Sequence, residues 1–504
     1  MKRTVVLNVV GLTPALLGEH TPRLRAFAAR GSAVAIRPAF PALTCPAQAT
    51  YLTGLPPAGH GVVGNGWYHR ELAEVHFWKQ SNHLVRGRKL WEALRARPEM
   101  ARRQSTGEKP FTCAKLFWWF NMYSSADYSI TPRPIYPADG RKIFDIYTWP
   151  YSIRPEIKRD LGEFPFATFW GPAAGVRTPQ GAPDAATRWI AEAARWIENK
   201  FQPTLSLVYL PHLDYNLQRH GPFASVPPPA LRSGRAAPDA PGGSSAARVL
   251  NPAILPDLRA VDTLVGELLD FFRARDVQVV VLSEYGLTNV TTPIHLNRRF
   301  REHGWLALKE ELHWEQLDCG ASRVFAVADH QIAHVYLNDP TLERAVCELL
   351  EQTEGVDAVL DRAAQAAWGV AHPRAGDFIA VAKEHAWFTY YFWLDDARAP
   401  DYARTVDIHR KPGYDPVELF TDPALSPLAL RAKIARRLLQ KKLGFRMLMD
   451  VIPLDAALVK GAHGRRPADA RDWPMLICER NELPPSPVLE ATDVFGALLQ
   501  LVLG

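Results

Sequence analysis

The stretch Phe40-Pro-Ala-Leu-Thr-Cys-Pro-Ala-Gln-Ala-Thr50, with Gly54-Leu-Pro-Pro-Ala-Gly-His-Gly-Val-Val-Gly-Asn65 behind it, decides how this chain is read. It has the form of a turn that delivers a nucleophile. A Pro-rich loop presents Thr44 at the start of a helix, where free backbone N–H groups and the helix dipole favour an incoming anion. Phosphate esters are the obvious anions. Asn65 follows a second glycine-rich turn, and its side-chain amide can donate to a phosphoryl oxygen during displacement. Threonine is also a common helix cap. The residue types alone therefore leave cap and nucleophile both open, and by themselves favour the cap.

Outward from this stretch the chain alternates strands and helices. Val5 to Val10 is a short β-branched run, and Thr21 to Gly31 has helical spacing. A helix through Ala185 to Lys200 leads into the apolar run Leu205 to Leu210. Another, through Pro256 to Arg275, leads into Val277 to Ser283. Such alternation predicts an α/β fold with a mostly parallel sheet covered on both faces, its functional residues gathered at the carboxyl ends of strands. Residues 112–172 are rich in aromatics and proline and read as an irregular insertion near the pocket. Residues 222–252, rich in Ala, Pro, Gly and Ser, read as a flexible loop. Ala326 to Leu337 and Asp377 to Leu394 look like strands of a smaller sheet within a cap-like region, 322–450, and Pro427 to Leu443 looks like a basic amphipathic helix.

The composition, 47% apolar and 22% charged, is that of a soluble globular protein. A net charge of +6 suits an acidic ligand, but the excess is spread along the chain and no basic, aromatic nucleic-acid module appears. The five cysteines are far apart and form no CxxC pair, which argues against a disulfide framework and for a reducing, cytoplasmic setting. The apolar run near Met1 is short and broken by Asn8, so it reads as a buried first strand rather than a secretory signal. No apolar stretch is long enough to predict a membrane span.

The Phe40–Asn65 pattern resembles that of the type I phosphodiesterase and nucleotide pyrophosphatase family of the alkaline phosphatase superfamily, with Ala47 standing where the family usually has Asn. The resemblance implies an alkaline-phosphatase-like three-layer α/β/α sandwich over residues 1–504, with smaller inserted cap elements. It also implies a Thr44 nucleophile assisted by Asn65, and two zinc ions held at strand ends. Tyr209-Leu-Pro-His-Leu-Asp-Tyr-Asn-Leu-Gln-Arg-His-Gly-Pro222 aligns with a ligand segment of the family. Asp214 takes the carboxylate position, Gln218 falls where the family has His, and His220 lies two residues further on. In Val279-Val-Val-Leu-Ser-Glu-Tyr-Gly286, Glu284 replaces the family's Asp and Tyr285 replaces its His. Val10 stands where the family has a ligand Asp, with Asn8 on the same strand face as partial compensation. His463, in Gly461-Ala-His-Gly464, takes the last ligand position.

This tally favours one divalent ion, Zn2+ or alternatively Mn2+ or Mg2+, over two. Additional donors are sought at Asp407 and His409, placed on one face of a strand with Lys411 nearby, and at Asp329, His330 and His334. For both clusters a structural or substrate-orienting role is favoured over metal binding. Cys45, beside Thr44, and Tyr209 are candidate substrate contacts. The expected function is a metal-dependent hydrolase of phosphate esters acting on a phosphorylated small molecule. The alternative is a catalytically silent or repurposed protein that binds such a molecule.

Overall fold

The computed structural model describes residues 1–99, 107, 109–139, 141–178, 181–224, 248–479 and 487–504. Most of the predicted flexible loop, residues 225–247, lies outside the described residues.

Nine strands form the central sheet: β1 (Thr4–Val9), β2 (Ser32–Arg37), β3 (Cys113–Leu116), β4 (Tyr128–Pro132), β5 (Ile146–Trp149), β6 (Leu205–Leu210), β7 (Gln278–Leu282), β8 (Met475–Cys478) and β9 (Val488–Glu490). Their order is β9-β2-β8-β7-β1-β6-β3-β4-β5. β8 runs antiparallel to both its neighbours and β5 antiparallel to β4, while the remaining pairs are parallel. β1 and β6 are buried along their whole length, which is why they read as unbroken apolar runs rather than as alternation.

The principal helices are α1 (Pro22–Arg30), α2 (Thr44–Thr53), α3 (Ala185–Phe201), α4 (His212–His220), α5 (Leu255–Arg273), α6 (Pro427–Lys442) and α7 (Val494–Leu503). The stripe Trp189, Ile190, Ala193, Ala194 and Ile197 on α3 packs in the same apolar core as Leu258, Val261, Leu268 and Phe272 on α5. That core also holds Val6, Leu7, Val280 and Val281 of the sheet.

A second, four-stranded antiparallel sheet, ordered Val324–Asp329, Ile332–Leu337, Phe378–Ala382, Val356–Leu360, lies in the predicted cap region. It carries its own apolar core, which includes Phe325, Val335, Phe388 and Trp393. The predicted irregular insertion is only partly irregular. It supplies β3, β4 and β5 to the edge of the main sheet, and Trp119, Arg133, Tyr136, Phe144, Phe166 and Trp170 from along its length wall the cavity described next.

Candidate active site

The carboxyl ends of the three adjacent parallel strands β7, β1 and β6 converge on one place. Asn8 is the penultimate residue of β1, Tyr209 that of β6, and Glu284 and Tyr285 follow β7 closely. Asp214 sits in the first turn of α4, just past β6. α2 points its N-terminus at the same point, and all ten of its residues are buried. Gly54 closes α2 with φ of 70°, a left-handed conformation that glycine adopts without strain.

Thr44 is the first helical residue, one position past the cap, which Leu43 holds. Its hydroxyl lies 3.2 Å from the Tyr285 phenol oxygen, on the floor of a cavity of about 2370 Å3. Tyr209, Asp214, Tyr285, His330, Tyr414 and His463 share that floor. The common capping use of a threonine is thereby excluded at this position. The hydroxyl is also the only side-chain oxygen that α2 offers to the cavity.

Asn65 adjoins Thr44 through the backbone: its Oδ1 accepts from the Cys45 N–H at 3.0 Å, and its Nδ2 donates to Asp329 Oδ1 at 3.1 Å. The second oxygen of Asp329 accepts from the Asn65 backbone N–H at 2.8 Å. Burial pushes the Asp329 carboxyl up to about 7. His330 bonds the same carboxylate through Nδ1 at 2.9 Å, and its ring stacks on Tyr414 and leans on His463. Asp329 and His330 therefore hold the site in shape. His334 is plainly structural: its Nε2 bonds the Val63 carbonyl and its Nδ1 accepts from the Gly376 N–H.

Two carboxylates face Thr44 from the strand ends. Glu284 accepts from the amides of Asn8 and Gln48 on one oxygen, Oε1, and neighbours the Thr44 hydroxyl. Burial drives its carboxyl up to about 8. Asp214 accepts from Gln218 Nε2 at 2.6 Å and from the Tyr285 phenol at 3.3 Å, and burial raises it to about 7. Tyr414 closes the network by donating to Gln218 Oε1 at 3.0 Å. Gln48 and Tyr414 escaped the sequence reading. The first carried a signal, since it lies one helical turn after Thr44 on the same face. The second carried none.

Several expectations are corrected by position. Cys45 is fully buried in an apolar cluster with Phe40, Ala49 and Val63, away from the cavity, because the next residue on a helix points about 100° aside. His220 is exposed at the end of α4. Asp407, His409 and Lys411 occupy a turn rather than a strand. Lys411 is locked between Asp415 and Glu418, each at 2.7 Å. Asp407 and His409 line the outer cavity but are engaged there by other groups: Asp407 pairs with Lys142 at 3.4 Å, and His409 Nδ1 faces the Phe77 carbonyl at 3.3 Å.

Whether the chain can hold the metals of the resembled fold follows from its donors. Among the described residues no group of three or more His, Cys, Asp or Glu side chains is arranged to hold an ion. The position built on Val10, Thr44, Glu284 and Tyr285 does not fit one: Val10 has no donor atom, and neutral amide and phenol donors already engage Glu284 and surround Thr44. The position built on Asp214 and His463 keeps two donors of the kinds that bind divalent ions. His463 Nδ1 bonds the Ala42 carbonyl at 2.8 Å, which leaves the Nε2 lone pair facing Asp214 Oδ1 at 4.0 Å. A backbone bond that fixes one ring nitrogen and bares the other is how metal-binding imidazoles are oriented. Gln218 stands beside this pair, and a half-turn of its amide would add an oxygen donor.

Residues 4–415 match the family described as Type I phosphodiesterase / nucleotide pyrophosphatase, and the chain belongs to that family. The α/β fold, with its large mostly parallel central sheet, is alkaline-phosphatase-like. Phosphonoacetate hydrolase from Sinorhizobium meliloti 1021, solved with phosphonoacetate, is similar with a TM-score of 0.57 and 15% identity, over 100% of this chain and 96% of that one. Murine ectonucleotide pyrophosphatase / phosphodiesterase 5 is similar with a TM-score of 0.52 and 13% identity, over 100% and 95%. The same murine protein has been solved in an inactive form in complex with AMP, with a TM-score of 0.52. No curated protein matches the chain by sequence. Family membership supports phosphoester hydrolase activity of the nucleotide pyrophosphatase and phosphodiesterase type, a class of divalent-metal-dependent enzymes.

Proposed function

We propose that this protein hydrolyses a phosphate ester of a small molecule, with Thr44 as the nucleophile. The observation that carries the reading is the Thr44 hydroxyl at the N-terminus of α2, uncommitted to capping and open to the cavity. The phosphoryl group enters where the helix start favours its charge. Thr44 Oγ1 attacks phosphorus; Glu284 beside it, ionised above its raised value of about 8, takes the hydroxyl proton, and the alcohol oxygen takes a proton from solvent as its bond to phosphorus breaks. Asn65 holds the start of α2 through the Cys45 N–H, and its Nδ2, which gives one proton to Asp329, would offer its second to an equatorial oxygen of a phosphoryl group seated against Thr44. Water then cleaves the phosphothreonine ester and frees Thr44.

Asp214 and His463, with Gln218 beside them, are the residues that would hold a divalent ion, Zn2+ in the first instance and Mn2+ or Mg2+ otherwise. Bound there, the ion supplies charge stabilisation to phosphoryl oxygens. The ligands of structural neighbours, phosphonoacetate and AMP, support a phosphorylated or phosphonylated small molecule as the ligand.

A second reading, a silent member that binds such a ligand without turnover, is favoured by one observation: the Tyr285 phenol bridges Thr44 and Asp214 where the resembled family has an imidazole. One experiment separates the two. Purified protein is assayed for turnover of a chromogenic phosphodiester and, by calorimetry, for AMP binding, each with and without added Zn2+. Turnover supports the hydrolase; AMP binding without turnover supports the silent binder; neither rejects both.

A further inference from the structure

α6 carries one face that none of the described residues covers. None of its residues is buried. Its inner side is seated on the molecule: Leu430 and Ile434 pack against the cap core, and Lys433 and Arg437 both pair with Asp450. Its outer side presents Leu428, Ala432, Ala435, Leu439 and Leu443, recurring every three or four residues, which makes a single apolar ridge. Leu428 is 78% exposed, Leu439 56% and Leu443 65%, and Phe445 continues the apolar surface at 66%. An apolar ridge of this length on an ordered helix marks an interaction surface.

The charge around the ridge says what covers it. Residues 427–449 contain seven Lys and Arg and no Asp or Glu. Arg431 and Lys442 flank the ridge on one side and Arg436 on the other, all exposed. Apolar residues facing outward and flanked by cations are the pattern of a helix lying in the interface of an anionic bilayer, its ridge among the acyl chains and its cations among the headgroups.

We infer that α6 docks this protein onto the surface of an anionic membrane. The inference concerns a surface contact, since no described helix is long and apolar enough to cross a bilayer. It bears on the catalytic cavity by position, because Arg437, Leu438, Lys441 and Lys442 of the same helix line the cavity that has Thr44 on its floor.

The test is co-sedimentation of the full chain with phosphatidylcholine vesicles that contain or lack phosphatidylglycerol, at low and high salt. Wild type is expected to bind the phosphatidylglycerol vesicles, to ignore pure phosphatidylcholine, and to be released by salt. A Leu439→Glu, Leu443→Glu double variant places carboxylates on the ridge and touches no cavity residue. It is expected to bind about tenfold more weakly while keeping its circular dichroism spectrum and any activity on a soluble phosphodiester. Failure of wild type to bind anionic vesicles, undiminished binding by the double variant, or wild-type self-association abolished by the double variant would overturn the inference, the last by showing that a second copy covers the ridge.

Discussion

The rings of Tyr285 and His463 stack face to face, with centroids 3.6 Å apart and planes 7° from parallel. This contact joins the end of β7 to the last ligand position of the resembled family, and it places the Tyr285 phenol between Thr44 and Asp214. Neutral donors thus occupy one of the two places where the family puts cations, whereas Asp214 and His463 keep the other.

That asymmetry makes the donor set beside Asp214 adjustable at a single residue. Gln218 is fully buried and already touches Asp214. A Gln218→His variant replaces an amide with an imidazole, a stronger zinc ligand. Calorimetric titration of Zn2+ is expected to show tighter binding than wild type. Equal affinity in the two proteins would mean that no ion sits between Asp214 and His463.

The Lys411, Asp415 and Glu418 cluster is assigned a structural role, so its loss must appear in stability. Lys411 is buried and neutralises two buried carboxylates. Removing one partner of a buried ionic cluster strands the others, at a cost of about 3–5 kcal/mol. Lys411→Met is expected to show that loss in urea denaturation, with the affinity of the folded fraction for Zn2+ unchanged. A stability change below about 1 kcal/mol would contradict the assignment.

Lys115 predicts a pH dependence with a definite sign. Its ammonium lies inside the fold, donating to the carbonyls of Trp119 and Phe120, and burial lowers it from 10.5 to about 7. The unfolded chain holds this proton up to a higher pH than the native state does, so between these two values the unfolded state binds more protons. Lys115 therefore penalises the fold below about pH 7 and the penalty is relieved as pH rises towards 10.5. Other buried groups titrate in the same range, so the difference from a Lys115→Met variant isolates the effect. Melting temperatures are expected to move in favour of wild type, relative to the variant, between about pH 7 and about pH 9. A constant difference would show that Lys115 keeps an ordinary pKa.

Much of the architecture was legible in the sequence because buried parallel strands are continuous apolar runs. Leu205–Leu210 was read to the residue, and Ala185–Phe201 and Leu255–Arg273 to within one or two. β3 was missed because Lys115 puts a charge in the middle of a four-residue strand, and only its backbone partners reveal how a charge is accommodated there. Asp407 and His409 alternate as in a strand, yet the chain turns through them towards Pro412 and Gly413. For the site, the Phe40–Asn65 pattern located Thr44 and Asn65 together, and the alignment picked out Asp214, Glu284, Tyr285 and His463, which the fold gathers around Thr44. The roles of Gln48, Tyr414 and Asp329 depend on contacts between residues tens to hundreds of positions apart, which no local spacing encodes.

The central claim, that the Thr44 oxygen attacks phosphorus, is tested most directly by comparing turnover of a chromogenic phosphodiester by wild type and a Thr44→Ala variant of equal thermal stability. Loss of a nucleophile that acts in concert with its neighbours is expected to lower kcat by roughly 10^3-fold or more. Measurable wild-type turnover that persists undiminished in Thr44→Ala would contradict the account.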